Sequence, residues 1–258
     1  MDAQGSFVWY EFMAPDLDAA LAFYPPLLGW TVAEAGGADH RYVIASAADG
    51  EGVAGLMSTP PKALENGAPS GWLGYVAVDD VDAAADAVAA AGGRVHHGPD
   101  DIPGVGRFAS VADPQGAGFV LFRGVSEMEG MAYRMGAPGH GGWHELQCGD
   151  AEAALAFYHG LFGWDEAAQL DMGEMETYRL IAPSGGDPFG GMMNSPNAPR
   201  PMWLFYFNVP DIDAAARSLA ALGGMVLFGP SEVPGGAWIV QATDTQGALF
   251  ALVGPRTT

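Results

Sequence analysis

Basic residues, cysteine and long apolar runs are scarce in this chain, and each scarcity closes off a class of function. Lysine and arginine total 10 against 31 aspartates and glutamates, for a net charge of −21. Such a field repels phosphate backbones and argues against a nucleic-acid partner; what remains for it is solubility or attraction of cationic ligands. Cys148 is the single cysteine, so neither an internal disulfide nor a cysteine-caged zinc can form. A reducing cytoplasm suits such a chain. No apolar stretch nears the ~20 residues that span a bilayer, and the start, MDAQGSFVWYEF, lacks the marks of a secretion signal. The expectation is a cytoplasmic protein with no membrane partner. Lys62, the only lysine, is not part of a phosphate-binding loop, and no G-x-S-x-G elbow occurs.

What is present is a repeat. The chain has 258 residues, 49% of them hydrophobic, enough for a real core in one large domain or two ordinary ones. Residues 16–30 read DLDAALAFYPPLLGW and residues 150–164 read DAEAALAFYHGLFGW, an offset of 134 (150 − 16). The same offset pairs Trp9 with Trp143 and Glu11 with Glu145. A second pair, offset by 131 (203 − 72), runs without gaps from Trp72 to Phe122 and from Trp203 to Val253. About half of its positions are identical, far above chance for unrelated segments. The chain is therefore two tandem halves, 1–123 and 142–258, joined by a linker at 124–141.

Each half divides again, into modules at 7–60, 72–123, 142–196 and 203–254. In each, a short apolar strand leads to an aspartate, an alanine-rich helix, a glycine and further strands. Asp16, Asp80, Asp150 and Asp211 stand where helix N-caps belong, and Gly29, Gly92, Gly163 and Gly223 where left-handed C-caps belong. The DPQG at 113–116 and DTQG at 244–247 read as turns between the last two strands. The order predicts four βαβββ modules.

The pattern of strand, D-x-x-x-A-x-x-FY-x-x-L-x-GW and a closing D-x-x-G turn resembles the vicinal oxygen chelate superfamily, which includes glyoxalase I, bleomycin-resistance proteins and extradiol dioxygenases. The resemblance covers nearly the whole chain apart from the linker. It implies an α+β fold in which paired modules make two tandem cup-shaped sheet domains, helices outside, each with a ligand within. The family's isolated domains pair to complete a site; a tandem chain brings its own pair, which is consistent with a monomer.

Enzymes of that superfamily hold a divalent metal through histidine and glutamate. The corresponding early positions here resemble Trp9, Leu73, Trp143 and Leu204, and the late ones Val120 and Ala251, with the last pair near Gly55 and Gly190 or Gly191. None of these side chains ligates a metal, so the expectation is no metal and no other cofactor. His140 and His144 are spaced for zinc only if helical, yet Gly141 and Gly142 put them at a strand entrance. His96 and His97 adjoin in a strand, and His40 has no histidine partner near it in sequence.

Strand alternation places Trp9, Glu11 and Met13 on one face and Trp143, Glu145 and Gln147 on its equivalent. The resemblance would aim these inward, with Met57, Met192 and Met193, near the ends of the fourth strands, as soft wall residues. Each glutamate either pairs structurally, with Arg107, Arg179 or a backbone amide, or faces a ligand. The leading reading is a metal-free binder of a small cationic or aromatic organic molecule. One alternative is a lyase, isomerase or dioxygenase with a displaced metal to which Glu11 or Glu145 contributes. Another is a structural or regulatory module.

Overall fold

The computed structural model describes residues 4–36, 41–60, 65, 70–125, 132–173, 177–195 and 200–257. The first module contains β1 (Phe7–Ala14), α1 (Leu17–Leu28), β2 (Thr31–Glu34), β3 (Tyr42–Ser46) and β4 (Gly52–Ser58). The second contains β5 (Gly71–Ala77), α2 (Val81–Ala90), β6 (Arg94–Ile102), β7 (Gly106–Ala112) and β8 (Gly118–Gly124). The third contains β9 (Gly141–Cys148), α3 (Ala151–Phe162), β10 (Trp164–Asp171), β11 (Thr177–Pro183) and β12 (Gly190–Asn194). The fourth contains β13 (Met202–Asn208), α4 (Ile212–Ala221), β14 (Met225–Glu232), β15 (Trp238–Thr243) and β16 (Leu249–Gly254). The fold is α+β, built from the βαβββ modules that the repeat predicts.

The helices start where the aspartates allow. Asp16, Asp80, Asp150 and Asp211 each accept the backbone N–H three residues on, at 2.6–3.0 Å, a contact worth about 1 kcal/mol. Gly29 and Gly163 end α1 and α3 with φ of 70° and 69°. After α2 and α4 the left-handed residue comes one position beyond the cap, at Gly92 and Gly223.

The strands form two sheets, in the orders β2-β3-β4-β1-β5-β8-β7-β6 and β10-β11-β12-β9-β13-β16-β15-β14. Each sheet thus draws its strands from one half of the sequence. Packing groups the chain differently. Residues 9–73, 131–143 and 205–258 make one compact unit, and residues 1–8, 74–130 and 144–204 make the other. The first unit joins the first and fourth modules; the second joins the second and third.

Each unit has its own aromatic core. In the first, Phe12, Tyr24 and Trp72 meet with ring centroids 4.8–5.0 Å apart, and Phe207 lies 4.8 Å from Trp72. In the second, Tyr158 stacks on Trp164 at 5.2 Å and accepts the Trp203 indole N–H at 3.0 Å. Burying each such ring contributes roughly 1.5–3 kcal/mol.

The DxQG turns fasten these cores. In the first unit the Tyr24 hydroxyl donates to Asp244 at 3.1 Å, and in the second Tyr158 donates to Asp113 at 3.2 Å. The other oxygen of each aspartate accepts backbone N–H groups of its own turn. Gln246 holds the backbone N–H and carbonyl of Asp16, and Gln115 does the same for Asp150. Each turn therefore caps the helix entry of a module from the other half of the sequence. Between β8 and β9 the linker residues 126–131 lie outside the described residues, while Ala132 is buried and Arg134 pairs with Asp49 at 2.7 Å. No helix among the described residues is long and apolar enough to cross a membrane.

Candidate functional site

Alternation along β1 leaves Trp9, Glu11 and Met13 half-buried while Tyr10, Phe12 and Ala14 are fully buried. On β9 the alternate residues are Trp143, Glu145 and Gln147, of which Glu145 is only 5% exposed. The neighbouring strands complete each group by register. Glu11 pairs with Gly55 and Met13 with Met57 on parallel β4, and Met57 pairs in turn with Tyr42 on β3. In the third module Glu145 pairs with Gly191, Gln147 with Met193, and Met193 with Tyr178.

A tyrosine completes each cluster, and the sequence reading missed both. The Trp9 indole N–H donates to the Tyr42 hydroxyl at 3.2 Å, and that hydroxyl donates to Glu11. In the third module the Tyr178 hydroxyl donates to Glu145 Oε2 at 3.3 Å while the Gln147 amide donates to Oε1 at 2.9 Å. Both rings reach the carboxyl by crossing a glycine. A Cβ at Gly55 would overlap the Tyr42 ring and hydroxyl, and one at Gly191 would overlap Tyr178. These glycines lie where the resemblance put the least certain metal-ligand position; the phenol occupies the space a ligand side chain would need. Burial first, and then the neighbouring Glu11, push the Tyr42 phenol far above its ordinary pKa, so it remains a proton donor at neutral pH. One signal for the pair was available: Tyr42 and Tyr178 occupy the same place in the two halves, two residues before the strand position that meets the glycine.

The arginine pairings considered for the glutamates go elsewhere. Arg107 ion-pairs with Asp82 and Asp101, and Arg179 ion-pairs with Glu166. Met192 needs correction. It is fully buried and in register with Leu146 and Arg179, on the face away from Glu145, because successive strand residues alternate. Met193 is the counterpart of Met57.

The remaining reactive residues have structural surroundings. His144 is fully buried, stacked on Phe7 at 4.0 Å, and its Nδ1 donates to the Phe189 carbonyl at 2.8 Å. Burial lowers its pKa to about 3. His140 meets Asp49 at 3.1 Å, His96 and His97 are exposed, and His40 lies outside the described residues. Cys148 is buried and its thiol donates to the Met193 carbonyl at 3.4 Å. Burial raises its pKa to about 12, which leaves it unreactive.

Among the described residues no three histidine, cysteine, aspartate or glutamate side chains gather as a metal site. The early and late family positions hold indole, aliphatic and glycine residues, and a tyrosine covers the glycines. The donor set does not fit the metal of the family's enzymes.

Tandem βαβββ modules, each sheet drawn from two of them, define a glyoxalase-type protein. The chain belongs to the Glyoxalase/Bleomycin resistance protein/Dioxygenase superfamily, whose model matches residues 6–121 and 141–252. It is 34% identical to CFP32 of Mycobacterium bovis, provisionally named a glyoxylase, over 98% of this chain and 95% of that one. It is 35% identical to the anthracycline biosynthesis protein DnrV of Streptomyces peucetius, over 97% of this chain and 94% of that one. Among solved structures, an extradiol ring-cleaving dioxygenase from B. fuscum matches with TM-score 0.68 and 18% identity, covering 98% of this chain and 73% of the other. The Mn(II)-bound glyoxalase from Novosphingobium aromaticivorans matches with TM-score 0.63 and 18% identity, covering 99% and 83%. At that identity the two structures speak for the fold alone.

Proposed function

We propose that this protein binds a small aromatic or cationic organic molecule without a metal, on a sheet face that carries a carboxyl, a phenol and an indole. The observation that carries this reading is the hydrogen-bonded run from Trp9 through Tyr42 to Glu11, set on a half-buried strand face. An indole offers a flat apolar surface for an aromatic ring. Glu11 offers an anionic acceptor, and Tyr42 keeps that carboxyl oriented. The net charge of −21 draws cations toward the protein as a whole. The tandem chain supplies its own paired modules and acts as a monomer in the cytoplasm. The likeness to an anthracycline biosynthesis protein agrees with an aromatic ligand class.

The test is quenching of tryptophan fluorescence by planar aromatic amines in the presence of a chelator. Saturable quenching that survives chelation, and that weakens in Glu11→Gln and Tyr42→Phe, is expected. Binding that disappears on chelation and returns with one divalent metal would overturn the metal-free reading.

A second reading is favoured by one observation, the phenol–carboxyl hydrogen bond itself. The carboxyl, oriented by the Tyr42 hydroxyl, can take a proton from a bound molecule, so the same cluster suits an isomerase or lyase that works by acid–base chemistry. Turnover of a bound ligand, lost in Tyr42→Phe with affinity retained, would establish it.

A further inference from the structure

The second module carries a cleft that neither tyrosine–glutamate cluster uses. The β6–β7 hairpin and the end of β8 enclose it within one compact unit, and its volume is about 590 Å³, in the range of small-molecule sites. Ile102, Pro103 and Val125 give it an apolar lining, with Val125 72% exposed, and Arg107 and Arg123 give it two cations. These arginines are direct cross-strand partners on β7 and β8, so they rise from the same sheet face. Like charges set opposite one another destabilise a sheet unless anions offset them. Arg107 has its anions, Asp82 at 2.6 Å and Asp101 at 2.9 Å. Arg123 has no carboxylate partner among the described residues; its hydrogen bond there runs from Nη1 to the Asp79 carbonyl. That leaves Nε and Nη2, the same edge with which Arg107 grips Asp82.

The other half shows that the fold does not need this second arginine. At the offset of 131 the two register partners are Trp238 and Gly254. There Arg256 lies over Trp238 at 4.3 Å and pairs with Asp213, the counterpart of Asp82, at 2.8 Å. One arginine per half thus holds the helix aspartate, and Arg123 stands outside that duty.

We propose that this cleft is a further small-molecule site, independent of the Glu11 cluster, and that it takes an organic monocarboxylate with a short apolar body. The carboxylate accepts the paired Nε and Nη2 donors of Arg123, and the body lies on Ile102, Pro103 and Val125. A chain of net charge −21 gives an anion no general attraction, so directed hydrogen bonds must hold it. One guanidinium matches one negative charge, and Asp101 in the lining repels a second.

The test is an NMR titration of the ¹⁵N-labelled full chain with sodium hexanoate at constant ionic strength. The backbone amides of Gly104, Gly106 and Gly124 are expected to shift saturably, with a Kd of about 1 mM. Hexanamide, which has the same body without the charge, and inorganic phosphate should each bind at least about 10-fold more weakly. Arg123→Gln should weaken hexanoate at least about 10-fold, and Arg123→Lys, which keeps the charge and loses the fork, about 5-fold. The exposed position, a glycine in the other half, should tolerate both changes; the hexanamide comparison on the parent chain needs neither variant. No saturation by about 20 mM hexanoate, equal binding of hexanamide, or glycine shifts unchanged in Arg123→Gln would overturn the site. Phosphate binding tighter than hexanoate would overturn the monocarboxylate assignment.

Discussion

At the scale of single residues the two clusters depend on an absence. Tyr42 and Tyr178 can reach Glu11 and Glu145 because Gly55 and Gly191 have no side chain in the way. A methyl at either position must displace a ring or a strand, and overpacking of that kind costs about 1–3 kcal/mol. Gly191→Ala should therefore lower stability by that amount in urea unfolding. In a Tyr178→Ala background the same change should cost much less, a coupling between neighbours that independent sites do not have. Strictly additive losses would mean that the ring does not lie over the glycine. The dependence also explains what could be read beforehand. Alternation along one strand placed Trp9, Glu11 and Met13 on a common face. The tyrosines come from a strand two places away in the sheet, and nothing local to Tyr42 announces that its ring will cross Gly55. Met192 and Met193 were hard to separate for a related reason: adjacent residues face opposite ways, and only the register of β12 on β9 decides which one does.

At the scale of elements the helices and turns were legible because their signals are local. An aspartate before an alanine-rich run caps a helix wherever it occurs, and a glycine at its end accepts a left-handed backbone. The second duty of the DxQG turns was not legible. Asp113 and Gln115 satisfy the turn that any reader would assign, and their bonds to Tyr158 and Asp150 depend on contacts distant in sequence. The FY of each first-type helix and the DxQG of the opposite half are two parts of one joint. Asp113 is 3% exposed and Asp244 4%, so removing the phenol donor leaves a buried carboxyl short of a partner. Such a loss costs about 1–3 kcal/mol. Tyr24→Phe and Tyr158→Phe should each destabilise by that much in denaturant titrations, although the rings and their packing remain. Stabilities within about 0.5 kcal/mol of the parent, the range of indifferent surface changes, would mean that these bonds do not hold the modules.

At the scale of the whole molecule, each compact unit joins one module from either half of the sequence around a single aromatic core. A local titration in one core should then register in the unfolding of its whole unit. His144 is the group to watch. Its pKa falls from 6.5 to about 3 on folding, because burial against Phe7 penalises the charged ring more than the Phe189 carbonyl supports it. A depressed histidine pKa means that the unfolded chain binds the extra proton. Its contribution to stability is complete above the unfolded value near 6.5 and is lost as pH falls toward 3. Between pH 7 and pH 5 that loss amounts to about 2 kcal/mol. Two effects run the other way. Acid relieves the repulsion within a chain of net charge −21, and Asp113, whose carboxyl burial raises above its usual range, gains from protonation in the folded state. The histidine must therefore be isolated by difference. Urea unfolding at pH 7 and pH 5 should show the parent losing about 2 kcal/mol more than His144→Asn, whose amide nitrogen stands where Nδ1 donates to the Phe189 carbonyl and which cannot take up the proton. Identical pH dependence in the two proteins would mean that His144 is hydrated and charged in the folded state, and that the core around Phe7 is open to water.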